Sequence, residues 1–134
     1  MKCLIVEDNL LSRRILQKLL FTEGDCDIAV NGQEAIDSFA LAHESKRPYD
    51  VIFMDIMMPV LNGMEALQCI RALEKKMAIP PHLAVKVIMT TALDDPHTVI
   101  KSMNECEADA YIVKPVSKQK LIKELRALNL VPEQ

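Results

Sequence analysis

The chain has 134 residues, of which 50% are hydrophobic, 26% charged and 4% aromatic, with a formal net charge of −3. That length fits one domain with a single core of aliphatic residues and methionine, and that composition excludes a disordered chain. The mild negative charge offers no bulk attraction for nucleic acid. No apolar run reaches the roughly 20 residues that span a bilayer, and no leader-like segment precedes the first apolar run, so a cytoplasmic protein is expected.

The chain opens on Lys2 to Val6, an apolar run that predicts a buried strand and ends in Glu7-Asp8-Asn9. From Leu10 to Phe21 the period becomes helical. Leu11, Ile15 and Leu19 join Leu10, Leu16 and Leu20 in one broad stripe, with Asn9 as N-cap and Gly24 as the stop. Cys26, Ile28 and Val30 alternate with Asp27 and Ala29 as a second strand, Asn31-Gly32 turns the chain, and Ala35, Ile36, Phe39 and Ala40 mark a second helix.

Val51-Ile52-Phe53-Met54 is a third apolar run, followed at once by Asp55 and then by Ile56-Met57-Met58-Pro59. It predicts a strand covered on both faces, with a carboxylate at its carboxyl end. After Asn62-Gly63 a third helix carries Met64, Leu67, Ile70 and Leu73, and Pro80-Pro81 breaks the pattern. Val85 to Thr90 predicts strand four, ending in Thr91-Ala92. Asp94 or Asp95 would cap a helix with Pro96 in its first turn, a helix that carries Val99, Ile100 and Met103. Ala110 to Val113 predicts a short fifth strand before Lys114-Pro115. Ser117 would cap the last helix, with Leu121, Ile122, Leu125 and Leu128 inward and Lys118, Lys120, Lys123 and Arg126 solvated.

Five strands alternating with five helices imply an α/β fold, a parallel sheet with helices on both faces. Right-handed crossovers narrow this to doubly wound orders. The flavodoxin-like (βα)5 order 2-1-3-4-5 is expected, with residues 1–134 as a single domain. In that order Glu7, Asp8, Asp55, Thr91 and Lys114 meet at the carboxyl edge, where open α/β sheets bind ligands. Two carboxylates ~4 Å apart repel by about 4 kcal/mol at an effective dielectric of ~20, and one lysine cannot offset three acids. A proton or a divalent cation must enter. With all-oxygen ligands, Mg²⁺ or Mn²⁺ is the expected ion. A cation, an amine and a hydroxyl around one carboxylate are the parts for phosphoryl transfer to that carboxylate.

Glu7-Asp8-Asn9, Asp55-Ile56-Met57-Met58-Pro59 with Asn62-Gly63, Thr91-Ala92 and Tyr111-Ile112-Val113-Lys114-Pro115 together resemble the response-regulator receiver family of two-component signalling, across essentially the whole chain. The resemblance implies that Asp55 accepts a phosphoryl group from a phosphohistidine on a sensor histidine kinase or phosphotransfer protein. It implies that Glu7, Asp8, Asp55 and the backbone carbonyl of Met57 hold Mg²⁺, and that Thr91 and Lys114 bind the phosphoryl oxygens, Thr90 being the lesser candidate. Tyr111 would be the switch, together with Thr91, on a face of helix four, strand five and helix five that binds a downstream protein or forms a weak homodimer. The Lys114–Pro115 peptide would be cis. Met57 and Leu93 sit at the positions that tune phosphate loss, and both are apolar here, which implies slow self-dephosphorylation. Such a domain assists its own phosphorylation and is not a turnover enzyme. No output domain, nucleic acid or membrane contact is expected. Arg13, Arg14 and Lys18 on helix one are the expected docking face for the phosphodonor. Glu107 stands where receivers usually place glycine, and a positive φ there would strain it by about 1 kcal/mol.

Three other kinds of protein share part of this pattern. A haloacid-dehalogenase-type phosphatase would need a second acid where Met57 stands. A flavin- or nucleotide-binding module would need a phosphate cradle where Glu7-Asp8 stand. A degenerate receiver would lack part of the constellation. Cys3, Cys26, Cys69 and Cys106 form no metal-binding spacing and are expected as reduced apolar residues. His43, His82 and His97 are expected to be exposed, and Met57, Met58 and Met64 to pack near the site.

Overall fold

In the computed structural model, which describes residues 1–92 and 96–132, the chain forms β1 (Lys2–Val6), α1 (Leu10–Leu20), β2 (Asp25–Ala29), α2 (Gly32–Glu44), β3 (Val51–Asp55), α3 (Gly63–Lys76), β4 (Lys86–Thr91), α4 (Pro96–Asn104), β5 (Ala110–Val113) and α5 (Lys118–Ala127). The strands form one sheet in the order β2-β1-β3-β4-β5, all pairs parallel. Strand β3 is central and buried at all five positions, which is why the four residues before Asp55 are a continuous apolar run. Side chains alternate across the sheet into two cores. Leu4, Ile52, Met54, Val87 and Met89 pack under α2 and α3 with Phe39, Leu67 and Ile70. Cys3, Ile5, Phe53, Ile88 and Ile112 pack under α1 and α5 with Leu16, Leu20, Leu121 and Leu125.

The helix starts follow the cap chemistry. The side chain of Asn9 accepts from Ser12 N at 2.9 Å, and that of Asn31 from Glu34 N at 2.9 Å, so Asn31 starts α2 rather than making a free turn. Asn62 and Glu65 form a reciprocal capping box at α3. Ser117 Oγ caps α5 at 3.2 Å from Lys120 N. The expected caps Asp94 and Asp95 lie outside the described residues.

Several expectations are corrected. Helix α1 ends at Leu20, and Gly24 does not end it through a left-handed turn. A Cβ on Gly24 would lie 2.0 Å from the Met1 carbonyl oxygen, so that glycine is dictated by close approach of the N-terminal segment. The stripe of α1 is only half buried: Leu16 and Leu20 are inside, whereas Leu10, Leu11 and Ile15 are exposed. Val30 lies past the edge strand β2 and is exposed, and Met57 projects into solvent, while Met58 and Met64 do pack on the core. His43 is not a free surface residue. Its ring meets Phe39 edge-on, with centroids 4.8 Å apart. Cys69 is exposed, and Cys26 lies in register beside the buried Cys3. All four thiols are free.

A buried polar network absent from the sequence reading ties α3 to the amino ends of β4 and β5. Arg71 Nη1 donates to Glu74 Oε1 at 2.7 Å and to the Val85 carbonyl at 2.8 Å, and Nη2 donates to Asp109 Oδ2 at 3.0 Å. Its Nε and Nη2 both donate to the Glu107 carbonyl, at 3.1 and 2.9 Å. Glu107 does adopt φ 61, and this pair of hydrogen bonds from Arg71 fixes its carbonyl in that strained turn. No helix among the described residues is long and apolar enough to cross a membrane.

Candidate functional site

Asp55 is the last residue of β3, and its backbone is fixed on both sides. Ile56 N donates to the Thr90 carbonyl at 3.0 Å, and Gly63 N returns to the Ile56 carbonyl at 3.0 Å. A Cβ on Gly63 would meet the Asp55 carbonyl oxygen at 2.1 Å, so only glycine lets α3 start that close to the acid. Glu7 follows β1, the neighbouring strand, and its N–H donates to the Ala29 carbonyl at 3.0 Å. Glu7 and Asp55 are buried and Asp8 is exposed, and one carboxylate oxygen from each lies within 4.8 Å of the others. The three acids therefore converge on one point that is open to solvent on the Asp8 side.

One ammonium group answers them. Lys114 Nζ donates to both oxygens of Glu7, at 3.1 and 3.0 Å, and stands 3.6 Å from Asp55 Oδ1. It is aimed by its position just after β5, where Lys114 N donates to the Thr91 carbonyl at 2.7 Å, and the Lys114–Pro115 peptide is cis. Met57 N reaches Asp55 Oδ1 at 3.4 Å, and Arg13 Nη1 reaches the Glu7 carbonyl at 3.2 Å. Burial and then the Glu7 carboxylate push the Asp55 carboxyl from 3.8 up to about 7, against the opposing pull of Lys114. The amine is engaged mainly by Glu7, which leaves Asp55 short of positive charge. A hard, oxygen-seeking divalent cation at the open side fits this donor set and would complete the charge balance.

Thr91 ends β4, buried, and Tyr111 lies mid-β5, 41% exposed, beside a groove of about 550 Å³ that Met103, Lys120, Lys123 and Glu124 also line. On the other side of the site, Leu11, Ile15 and Leu16 of α1 with Lys114, Pro115 and Val116 line a groove of about 310 Å³. Leu93 lies outside the described residues. The sequence brought together every acid and the lysine. What it missed is the apolar groove beside them, and Leu11 and Ile15, apolar residues on the outer part of the α1 stripe, were its signal.

The sequence profile of the response regulator receiver domain matches residues 3–126. This chain belongs to the receiver family. It is 33% identical over 120 residues to hybrid signal transduction histidine kinase I of Dictyostelium discoideum, covering 87% of this chain and 6% of the kinase. It is 36% identical over 128 residues to the transcriptional regulatory protein ResD of Bacillus subtilis, covering 95% of this chain and 47% of ResD. The receiver thus spans less than half the length of either relative. Among solved structures, it resembles one chain of the co-crystal structure of the Saccharomyces cerevisiae histidine phosphotransfer signaling protein Ypd1 and the receiver domain of its downstream response regulator Ssk1. That match has a TM-score of 0.80 at 28% identity, covering 98% of this chain and 92% of the other. A chain of the CheX-CheY-BeF3-Mg complex of Borrelia burgdorferi matches with a TM-score of 0.81 at 25% identity, covering 96% and 89%.

Proposed function

We propose that residues 1–134 act as one phosphoacceptor receiver in a two-component phosphorelay, with Asp55 as the acceptor. The observation that carries this is the crowding of buried Asp55 by Glu7 and Asp8 with a single lysine opposite. A phosphohistidine on a sensor histidine kinase or histidine phosphotransfer protein is the donor. One Asp55 oxygen attacks phosphorus, the P–N bond breaks, and the imidazole keeps the electron pair. Glu7, Asp8, Asp55 and the Met57 carbonyl would hold Mg²⁺, or Mn²⁺ in its place. The ion supplies charge neutralisation for the acids and the incoming phosphoryl oxygens. Lys114 leaves Glu7 for a phosphoryl oxygen, and the Thr91 hydroxyl donates to another. Tyr111 then repacks, and the α4/β5/α5 face changes its affinity for a downstream protein or a second copy of the chain.

The phosphodonor docks on α1. The expected charges, Arg14 and Lys18, are exposed there, but Arg13 is tied to Glu7, and the apolar groove of Leu11 and Ile15 beside Lys114 adds the contact area. Reversing Arg14 and Lys18 to Glu slows transfer from a phosphorylated histidine protein; unchanged rates would remove the docking assignment. The acceptor itself is tested with acetyl phosphate and Mg²⁺. The wild-type chain gains one acid-stable, alkali-labile phosphoryl group and the Asp55→Asn variant gains none. Phosphorylation of the variant to the same extent would overturn the reading.

A further inference from the structure

Thr90 is a buried threonine beside the acceptor whose hydroxyl has no hydrogen-bond partner among the described residues. It is 1% exposed, and its Oγ1 is orphaned. Its place is set by register. Thr90 pairs with Asp55 on β3 and with Ile112 on β5. The residues two positions earlier, Phe53 and Ile88, share the core under α1 and α5, so Asp55 and Thr90 project from that same face of the sheet. Neighbouring strands lie about 4.8 Å apart, and at that spacing a turn of side-chain rotamers brings a threonine hydroxyl onto an aspartate oxygen.

The alternative to a hydroxyl here is simple. Valine has nearly the same shape, suits a strand equally well, and carries no buried donor to leave unsatisfied. A threonine at this position costs the resting protein stability and gains no bond there from any described residue. That loss is explained if the bond is made in another state. The carboxylate beside it is the group whose surroundings change in the reaction.

We infer that Thr90 is a positioning residue for phosphoryl transfer, its hydroxyl donating to one oxygen of Asp55 as the acid reacts and leaving the other oxygen to meet phosphorus. This rests on Asp55 being the acceptor. The bond is absent in the resting arrangement and forms as the carboxylate turns, so it acts on the rate of the step and not on the binding of the small phosphodonor.

The test uses the full chain as wild type, Thr90→Val and Thr90→Ser, with Mg²⁺ and acetyl phosphate varied to saturation and denaturant midpoints measured in parallel. Thr90→Val is expected to raise the midpoint, because the orphan is gone. Its saturating phosphorylation rate is expected to fall about tenfold, with half-saturation unchanged. Thr90→Ser, which keeps the hydroxyl, returns the rate to within about twofold of wild type. A Thr90→Val chain that keeps pace with wild type overturns the inference and leaves the Asp55 reading intact. So does a slow Thr90→Val that serine does not rescue, since the methyl group would then be the cause. A wild-type chain that takes up no phosphoryl group overturns both.

Discussion

Replacing Asp55 by Asn should stabilise the metal-free protein, and the gain should depend on pH in a way that follows from the site. Asp55 is held at about 7 in the fold against 3.8 as its ordinary value, by burial and by Glu7. Between those two values the native state holds a proton that the unfolded chain has released. Stability therefore falls as pH rises through this window and levels off above about 7. At ~1.4 kcal/mol per pH unit, the displacement corresponds to at most on the order of 4 kcal/mol at pH 8. Asparagine keeps the shape and cannot ionise, so it escapes this cost.

The assay is urea denaturation of wild type and Asp55→Asn from pH 3.5 to 8 with a chelator present. The two chains should be nearly equal at the acid end, and the variant should be more stable at the alkaline end by between about 1 and 4 kcal/mol. Adding Mg²⁺ should then stabilise wild type more than the variant, because the ion binds the ionised acid cluster of the native state and the variant has lost one of its oxygens' charge. A stability difference that stays flat with pH would refute the crowding argument. So would equal stabilisation of both chains by Mg²⁺.

Three other predictions use different parts of the molecule. Met57, solvent-exposed beside the acceptor, cannot orient an attacking water, so Met57→Asn should shorten the lifetime of the phosphorylated form several-fold in a phosphate-release assay, on the order of a positioned hydrogen bond. Val60 has φ 70 and is exposed. A β-branched residue there is strained, and Val60→Asn should raise stability by about 1 kcal/mol in denaturant titration, whereas a loss would show that the turn is held for its side chain. Arg71→Met leaves Glu74 and Asp109 without their buried cation and should cost about 3–5 kcal/mol, measured the same way; a loss below ~1 kcal/mol would show that water replaces the guanidinium.

The strand order and the acid cluster were legible because they depend on short-range signals. Continuous apolar runs marked buried parallel strands, and the charged residues Glu7, Asp55 and Lys114 directly after three of those runs marked strand tips. The same rules placed the caps Asn9 and Ser117 correctly. They misread the outer half of α1, since a helical stripe reports which residues are apolar and not how far the sheet beneath extends. Leu10 and Leu11, at the start of the helix, are exposed. They misread Gly24 because close approach to Met1 is a tertiary fact that leaves the same residue type as a turn. The Arg71 network was invisible for a related reason. Arg71 and Glu74 look like an ordinary exposed i,i+3 pair, and nothing in the local pattern announces that Val85, Glu107 and Asp109 close over them. Glu107 was recognised as anomalous from its residue type, but the double hydrogen bond that holds its carbonyl needed the fold.

That network also bears on how a signal leaves the site. Strand β5 is four residues long and pinned at both ends. At its amino end Asp109 accepts from Arg71 and from Val87 N, at 3.0 and 2.8 Å. At its carboxyl end Lys114 N is tied to the Thr91 carbonyl at 2.7 Å. A strand so fixed cannot slide along its neighbour when Lys114 Nζ changes partner, because one residue of slippage would turn every side chain to the wrong face. The change must therefore pass through side chains. Tyr111 lies on this strand, 41% exposed and beside a groove lined from α4 and α5. In the switch proposed above, a fixed strand with a partly exposed aromatic ring would turn a charge change at Asp55 into a change of surface shape at the α4/β5/α5 face without deforming the sheet.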